Sequence, residues 1–205
     1  MKKIIFILLL LYISINLFGQ TNTGKREFDE AIASGDMTLT ANGNGSSTGM
    51  SIYGTVRNNT SNNIRIYVII KNGIYLANSG EGQNMIATQI FLLSRQIEYF
   101  IEGDEYFIDF PGSSISSVVF AAFCADYERS NPSKSENFNV APTPQKLKEI
   151  SSTISRYMAD NFDENLVIAA QLALWRSQGK SRMEIMKTFE FDDNDWNISN
   201  DIMNY

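Results

Sequence analysis

The amino-acid sequence predicts an α+β fold: an antiparallel β-sandwich over residues 36–125, followed by a C-terminal unit of two or three helices packed on it. Two observations carry this prediction. Between residues 36 and 124, apolar and polar residues alternate in short runs separated by glycine- and asparagine-rich turns, which is typical of half-buried strands. Beyond about residue 140 the apolar period changes to 3.6, which indicates helices, so residues 126–205 are predicted as a helical subdomain with an acidic tail.

The chain begins with a segment typical of an export signal. A basic start is followed by the apolar run 4–13 and by Gly19, a small residue suited to cleavage. This arrangement predicts a signal peptide over residues 1–19 and a polar leader over residues 20–35. The apolar run is short for a membrane-spanning helix and no longer run follows it, so we expect no membrane insertion after signal cleavage. The expected location is periplasmic, cell-surface or secreted.

The composition excludes several classes of function. The chain has 17 Lys and Arg against 23 Asp and Glu, a net charge of −6, which becomes −8 when Lys2 and Lys3 leave with the signal. An acidic chain without a basic cluster has no electrostatic footprint for phosphates, so we expect no nucleic-acid partner. Because the sequence contains no histidine, Ser/His/Asp triads, Cys/His dyads and His-ligated zinc are excluded. Its single cysteine cannot form an internal disulfide.

Short alternating and apolar runs define the predicted strands. They cover residues 37–41, 52–56, 64–70, 85–93, 96–101, 106–110 and 115–124. The pair Asn72-Gly73 predicts a type I′ hairpin turn, because both central positions of that turn need a positive φ. The last strand is apolar on both faces and is therefore expected to be central. Cys124 ends this strand and is expected near the rim of the sandwich.

Capping residues indicate where the first and third helices begin. Thr143 and Pro144 suit the N-cap and first positions of a helix that carries an apolar stripe. Ser181 and Glu184 form a capping box for a third, short helix. The last segment, residues 190–205, is acidic and rich in asparagine, and we expect it to be a solvated tail.

The second predicted helix contains one polar side chain in an apolar run. Asp163 suits its N-cap and Gly179 its C-cap. Between Leu166 and Trp175 every residue except Gln171 is apolar, so the helix is expected to be buried. Burying an unpaired amide costs about 1–3 kcal/mol, and Gln171 must therefore have a partner.

Two partners for Gln171 are open on the residues alone. Its amide can hydrogen-bond to main-chain groups at the rim of the sandwich and so hold the helix to the sheet, with Cys124 as a small buried apolar residue. Alternatively, the thiol of Cys124 can attack the side-chain carbonyl of Gln171 and expel ammonia. The product of that reaction is an internal thioester that joins strand and helix.

These residues resemble two motifs of the thioester domains of bacterial surface adhesins. Phe123 before Cys124 stands in the place of the aromatic residue of that family, where tyrosine is commoner, and Gln171, Ala173 and Trp175 match its Gln-x-Ala-x-Trp stretch. The resemblance implies a cysteine in a β-rich part, a glutamine in a helical part, and a thioester that captures amines such as lysines of a host protein. A broader set of exported domains shares this plan without established chemistry.

The sequence therefore predicts an exported, non-enzymatic binding or adhesion module with a thioester between Cys124 and Gln171, and with Phe123, Ala173 and Trp175 in supporting positions. The alternative is an exported module that binds a protein or a glycan without covalent chemistry, in which the cysteine and the glutamine are structural. Neither interpretation includes a cofactor or a metal ion.

Two acidic clusters carry weaker signals. Asp193, Asp195 and Asn197 imitate the start of a calcium-binding loop, but the glycine and glutamate that should follow are missing. Glu102 and Glu105 could act as a pair of catalytic carboxylates in a small hydrolase. They flank a predicted hairpin turn, however, and we expect them to be exposed charges.

Overall fold

The computed structural model describes residues 24–93, 97–161 and 166–205. The predicted signal peptide, residues 1–19, and Asp163, the predicted N-cap, lie outside the described residues. Within them the protein has an α+β fold with mostly antiparallel strands in two sheets and five helices. No helix in this part of the chain is long and apolar enough to cross a membrane.

The described residues form eleven strands and five helices. The strands are β1 Lys25–Arg26, β2 Met37–Gly43, β3 Thr48–Asn58, β4 Ile64–Tyr67, β5 Ile69–Asn78, β6 Met85–Leu93, β7 Ile97–Glu98, β8 Phe100–Glu102, β9 Glu105–Phe110, β10 Ile115–Cys124 and β11 Asn137–Ala141. The helices are α1 Phe28–Ala33, α2 Gln145–Asp160, α3 Leu166–Ser177, α4 Arg182–Ile185 and α5 Asp193–Met203.

The larger sheet closes on itself. Its strands follow the order β10-β3-β2-β11-β5-β6-β7, and β10 also pairs with β6. The first six strands therefore form a closed barrel, with β7 added to β6, where the sequence predicts an antiparallel sandwich. Alternating strands are compatible with both architectures, and closure removes two open edges that a sandwich would have to protect. The predicted central position of β10 agrees with its pairing on both sides.

Strand β11 lies in residues 126–205, which the sequence predicts as a helical subdomain. It pairs antiparallel with β2 and with β5 and so fills the gap between them in the barrel. Phe138 is its one deeply buried side chain. Phe138 and Val140 alternate with Asn137 and Asn139, but this alternating run is only four residues long, and the pairing partners on both sides fix the conformation of the strand.

The smaller sheet packs beside the barrel. Its order is β1-β4-β9-β8, with β1 parallel to β4 and the other pairs antiparallel. Helix α1 lies in the segment predicted as a polar leader, but Phe28 is fully buried and its ring lies 5.7 Å from that of Phe120 in β10. Helix α1 is therefore part of the folded core.

The pair Asn72-Gly73 does not form the predicted hairpin turn. Both residues lie inside β5, at a shift in the register between β5 and β6. Gly73 has a φ of +65°, and a Cβ there would lie 2.9 Å from Cβ of Ser151 in α2. The glycine thus serves a bulge and the close approach of a helix, and Ser151 Oγ donates a hydrogen bond of 2.7 Å to the carbonyl of Asn72.

The C-terminal helices follow their predicted caps in part. Helix α2 begins after Pro144 without a side-chain cap. Gly179, with a φ of +86°, ends α3 in a Schellman motif, in which Lys180 N donates to Trp175 O at 3.2 Å. The capping box of Ser181 and Glu184 is present at α4.

The predicted acidic tail contains helix α5. A second capping box, made by Asp192 and Asp195, begins this helix, and Ser199 and Ile202 are buried against the rest of the protein. Arg176 of α3 donates hydrogen bonds to three acceptors on α5 (Trp196 O at 3.3 Å, Ser199 Oγ and Asn200 Oδ1). Helix α5 is not predicted from the sequence, because its apolar stripe is short and most of its residues are polar.

Candidate functional site

The end of β10 and the middle of α3 meet at one edge of the barrel. Phe123 pairs with Thr48, the first residue of β3, and Cys124 pairs with Met85, the first residue of β6. Helix α3 can lie close to this edge because it is rich in small residues. Its fully buried alanines are Ala169, Ala170 and Ala173.

The side-chain amide of Gln171 is bound to the main chain of Cys124 at both ends. The N–H of Cys124 donates to Oε1 of Gln171 at 2.7 Å, and Nε2 of Gln171 donates to the carbonyl of Cys124 at 3.0 Å. The same N–H also lies 3.2 Å from the carbonyl of Ser47, just before β3 begins. The amide therefore continues the main-chain hydrogen bonding of β10 past Thr48, the residue at which β3 begins. Gln171 is fully buried.

The thiol of Cys124 lies in an apolar environment. Cys124 is fully buried, and its Sγ is 3.7 Å from Sδ of Met85. Burial raises the pKa of the Cys124 thiol far above its ordinary value, and the negative charge of Asp126 adds to this shift. The free thiol is therefore protonated at neutral pH, and no thiolate is exposed to solvent.

Phe123 and Cys124, which are neighbours in β10, pack in different parts of the core. Phe123 packs with α2 and α3, in a cluster that includes Ala170 and Ala173. Cys124 packs with the barrel core, together with Leu172 and Trp175 of α3. Consecutive residues of the strand thus pack with the helix in two different clusters. Of the positions predicted as supporting, Phe123 and Ala173 lie in the first cluster and Trp175 lies in the second.

Trp175 lies one helical turn after Gln171 and is 4% exposed. Its ring makes edge-to-face contacts with Tyr127, at a centroid distance of 5.2 Å, and with Phe189, at 5.1 Å. Its indole Nε1 has no hydrogen-bond partner among the residues that the structure describes.

The contact has the elements of an acyl-transfer site. A thiol and a side-chain amide carbonyl belong to residues that touch, and a main-chain N–H already donates to the carbonyl oxygen on which negative charge would develop if the sulfur, once its proton is removed, attacked. Both residues are shielded from water. Ser47 and Met85 could not be predicted as neighbours of the cysteine, because they are far from it in sequence and no local pattern marks them.

Asp126 was also missed, although it follows Cys124 by only two residues. Its carboxylate accepts a hydrogen bond of 3.1 Å from the main-chain N–H of Asn84, and the side-chain amide of Asn84 donates to it at 2.5 Å. The next residue after the cysteine, Ala125, donates its N–H to the carbonyl of Asn84 at 2.8 Å. These bonds fix the chain just beyond the site.

The other acidic candidates have structural partners. Asp193 and Asp195 lie in the first turn of α5, where Asp195 takes part in the capping box. Glu102 and Glu105 are exposed and both form ion pairs with Lys25, at 3.3 and 3.4 Å. Over the described ranges of the chain, no group of three or more His, Cys, Asp or Glu side chains is placed to hold a metal ion.

Comparison of the chain with protein-family models, with curated proteins and with solved structures found no match. The contact between Cys124 and Gln171 is therefore the main basis for a functional proposal.

Proposed function

We propose that the protein is an exported, non-enzymatic binding module in which Cys124 and Gln171 form an internal thioester that captures amines. The observation that supports this proposal best is the pair of hydrogen bonds between the amide of Gln171 and the main chain of Cys124. The one cysteine of the sequence and the one polar residue between Leu166 and Trp175 meet there, 47 positions apart in the chain.

Thioester formation can be written with all atoms in balance. Sγ of Cys124 bonds to Cδ of Gln171, the bond from Cδ to Nε2 breaks, and the nitrogen leaves as ammonia with the proton of the thiol. The N–H of Cys124 that donates to Oε1 stabilises the negative charge on this oxygen during the attack. The reaction also replaces a buried thiol and a buried amide by a single, less polar group.

The thioester would act as an acyl donor that is used once. An amine attacks the thioester carbonyl, the bond from carbon to sulfur breaks, and the thiol of Cys124 forms again while the amine is held as an amide on residue 171. Burial of the site slows the competing attack by water. Since the acyl group is not regenerated, the protein captures its target and does not turn over.

A second candidate function uses the same contact without a covalent bond. Both ends of the Gln171 amide already have partners, so an intact amide fits this site as a clamp between α3 and the barrel. In this case the protein binds a protein or a glycan through its surface, and Cys124 contributes only to packing.

Intact-mass measurement of the exported protein separates the two candidates. Because Gln20 becomes the N-terminal residue and can itself lose ammonia by cyclisation to pyroglutamate, the wild type is compared with Cys124→Ala. The thioester predicts that the wild type, relative to its calculated mass, is lighter than this variant by one ammonia, and that methylamine adds one molecule of amine to it and releases one thiol that can be alkylated. Cys124→Ala should not react with methylamine. Gln171→Glu serves as the matched control, because it lacks the amide nitrogen that leaves.

The opposite result is equally clear. If the wild-type protein shows no loss of mass beyond that of Cys124→Ala, and if its thiol is alkylated only after unfolding, the thioester is excluded and the non-covalent module remains. A thiol protected in this way is expected from its burial and its raised pKa.

A further inference from the structure

The two residues of the candidate site are closed off from solvent. Cys124 and Gln171 are both fully buried. An amine, or any other reagent for these side chains, therefore reaches them only when a covering element moves aside. The element that opens at the lowest cost in free energy is the one that is held by the fewest buried side chains.

Residues 180–190, here called the lid segment, are held by few buried side chains. The segment contains the short helix α4, and Ile185 is its one fully buried residue. On its outer side Met183 is 77% exposed and Met186 is 59% exposed. Helix α3, by contrast, is buried without a break from Ala169 to Trp175.

The inner side of the lid segment packs over Trp175, which lies one helical turn after Gln171. The ring of Phe189 makes the edge-to-face contact with Trp175 at 5.1 Å. Ile185 belongs to the same cluster of buried side chains as Cys124 and Trp175. The lid segment therefore covers the part of the core that contains the thiol.

Tyr127, in the loop that follows β10, holds the lid segment closed. Its hydroxyl donates to the carbonyl of Glu184 and accepts a hydrogen bond of 3.1 Å from Oγ1 of Thr188. Its ring contacts Trp175 on one side, and Nζ of Lys180 lies 4.8 Å from its centroid. One aromatic side chain thus connects both ends of the lid segment to the loop just beyond Cys124.

Empty space lies between the lid segment and the start of β3. A cavity of about 560 Å³ has Ser47 on one side and Thr188 and Phe189 on the other. The carbonyl of Ser47 is the one that accepts from the N–H of Cys124. Because this space separates the lid segment from β3, the segment is held mainly by Tyr127 and by its own two apolar side chains.

We infer that residues 180–190 form a lid that opens while the rest of the fold stays intact, and that its opening admits small reagents to Cys124 and Gln171. Gly179, with its positive φ, lies at one end of the lid, and at the other end α5 stays bound to Arg176. This inference does not depend on the thioester, because the lid covers the same two residues whether or not a bond joins them.

The reaction rate at the site, measured in urea concentrations below the unfolding transition, tests the inference. The mature wild-type protein is treated with iodoacetamide if its intact mass shows a free thiol, and with methylamine if it shows the thioester. The ratio of the rate in the folded protein to the rate in the unfolded protein gives the equilibrium constant for opening. Opening of the lid exposes little surface, so this constant should change little with urea until global unfolding becomes the faster route.

Two variants separate the lid from the rest of the fold. Tyr127→Phe keeps the ring on Trp175 but removes the hydrogen bond to Glu184, so the rate at low urea should rise about tenfold, which corresponds to about 1.4 kcal/mol. Ser155→Ala is the matched control, because it also removes one hydrogen bond, the bond of 2.9 Å to the carbonyl of Ile70, but does so in α2. It should lower the midpoint of global unfolding and leave the rate at low urea unchanged.

Two results would overturn the inference. One is a wild-type rate that depends on urea as steeply as global unfolding does, and the other is an equal rise of the rate in Tyr127→Phe and Ser155→Ala. Either would mean that the site is reached only when the whole protein unfolds. The first result is read from the wild type alone, so poor folding of a variant does not prevent the test. A failure of the thioester changes the reagent and not the outcome.

Discussion

Replacing Gln171 by methionine tests whether its amide holds α3 to the barrel. Methionine has a similar shape and volume, so the substitution removes two hydrogen bonds with little change in packing. The experiment is best done in a Cys124→Ala background, in which no thioester can form and the main-chain N–H and carbonyl of residue 124 are kept. The two partners that lose the amide are then the same groups that it contacts at 2.7 and 3.0 Å in the wild type.

The expected loss of stability follows from the hydrogen bonds that each main-chain group of residue 124 keeps after the substitution. The carbonyl of residue 124 loses the Nε2 donor, whereas its N–H still has the carbonyl of Ser47 at 3.2 Å. Leaving a buried polar group unpaired costs about 1–3 kcal/mol, and the N–H loses only the better of two acceptors. We therefore expect a loss of about 2 kcal/mol in the free energy of unfolding. Gln171→Ala should lose about 1–2 kcal/mol more, because it also leaves a cavity.

Urea unfolding followed by circular dichroism measures these differences. The midpoint should fall while the slope m stays the same, because the substitution does not change the surface exposed on unfolding. Gln178→Met is the matched control: this side chain is only partly buried near the end of α3, so its replacement should change stability by less than about 0.5 kcal/mol. If Gln171→Met is as stable as this control, the amide is not a clamp and the reasoning is wrong.

Two further predictions concern other polar contacts. Arg176→Met should lower the free energy of unfolding by about 1–3 kcal/mol and make α5 susceptible to proteolysis, because α5 loses the guanidinium bound to Ser199 and Asn200. Arg176→Lys should not restore the stability, since one ammonium cannot replace the planar group. Hydrogen bonds from the side chain of Asn78 and from neighbouring main-chain N–H groups lower the pKa of Glu136 below its unfolded value of 4.5. The stability that the ionised carboxylate contributes to the folded state is therefore present above this value, and it is lost as the pH falls through the lower folded pKa. The stability difference between wild type and Glu136→Gln, from urea midpoints across this range, should shrink on acidification; a constant difference would contradict it.

The contact at the candidate site could be predicted in part from the sequence. A single cysteine at the end of an apolar strand and a single amide in an apolar helix each require an explanation, and the order of strand and helix allows them to meet. The local patterns could not show that Gln171 contacts the main chain of Cys124 at both ends. This arrangement depends on where β3 begins, since Thr48 pairs with Phe123 and leaves the next residue of β10 to the amide.

The errors in the predicted fold have a common physical cause. Alternation reports that one face of a strand is buried, but it does not report which strands pair, so it cannot distinguish a barrel from a sandwich. Strand β11 and helix α5 are polar segments whose structure depends on partners elsewhere in the chain: β2 and β5 for the strand, and Arg176 for the helix. Gly73 gave a strong local signal for a turn, and the approach of α2 made its positive φ part of a bulge.

The magnitudes show that the clamp and the thioester are compatible within one fold. Bond formation removes Nε2 and with it the donor to the carbonyl of Cys124, a loss of about 1–3 kcal/mol. The proposed bond would close a loop of 47 positions. By reducing the entropy of the unfolded chain, a cross-link of that length raises its free energy by about 4 kcal/mol at 25 °C. The cross-link therefore outweighs the lost hydrogen bond. In the proposed reaction, the hydrogen bonds of the free amide would hold Gln171 against Cys124 before the attack, and the covalent bond would take over their structural role once ammonia has left.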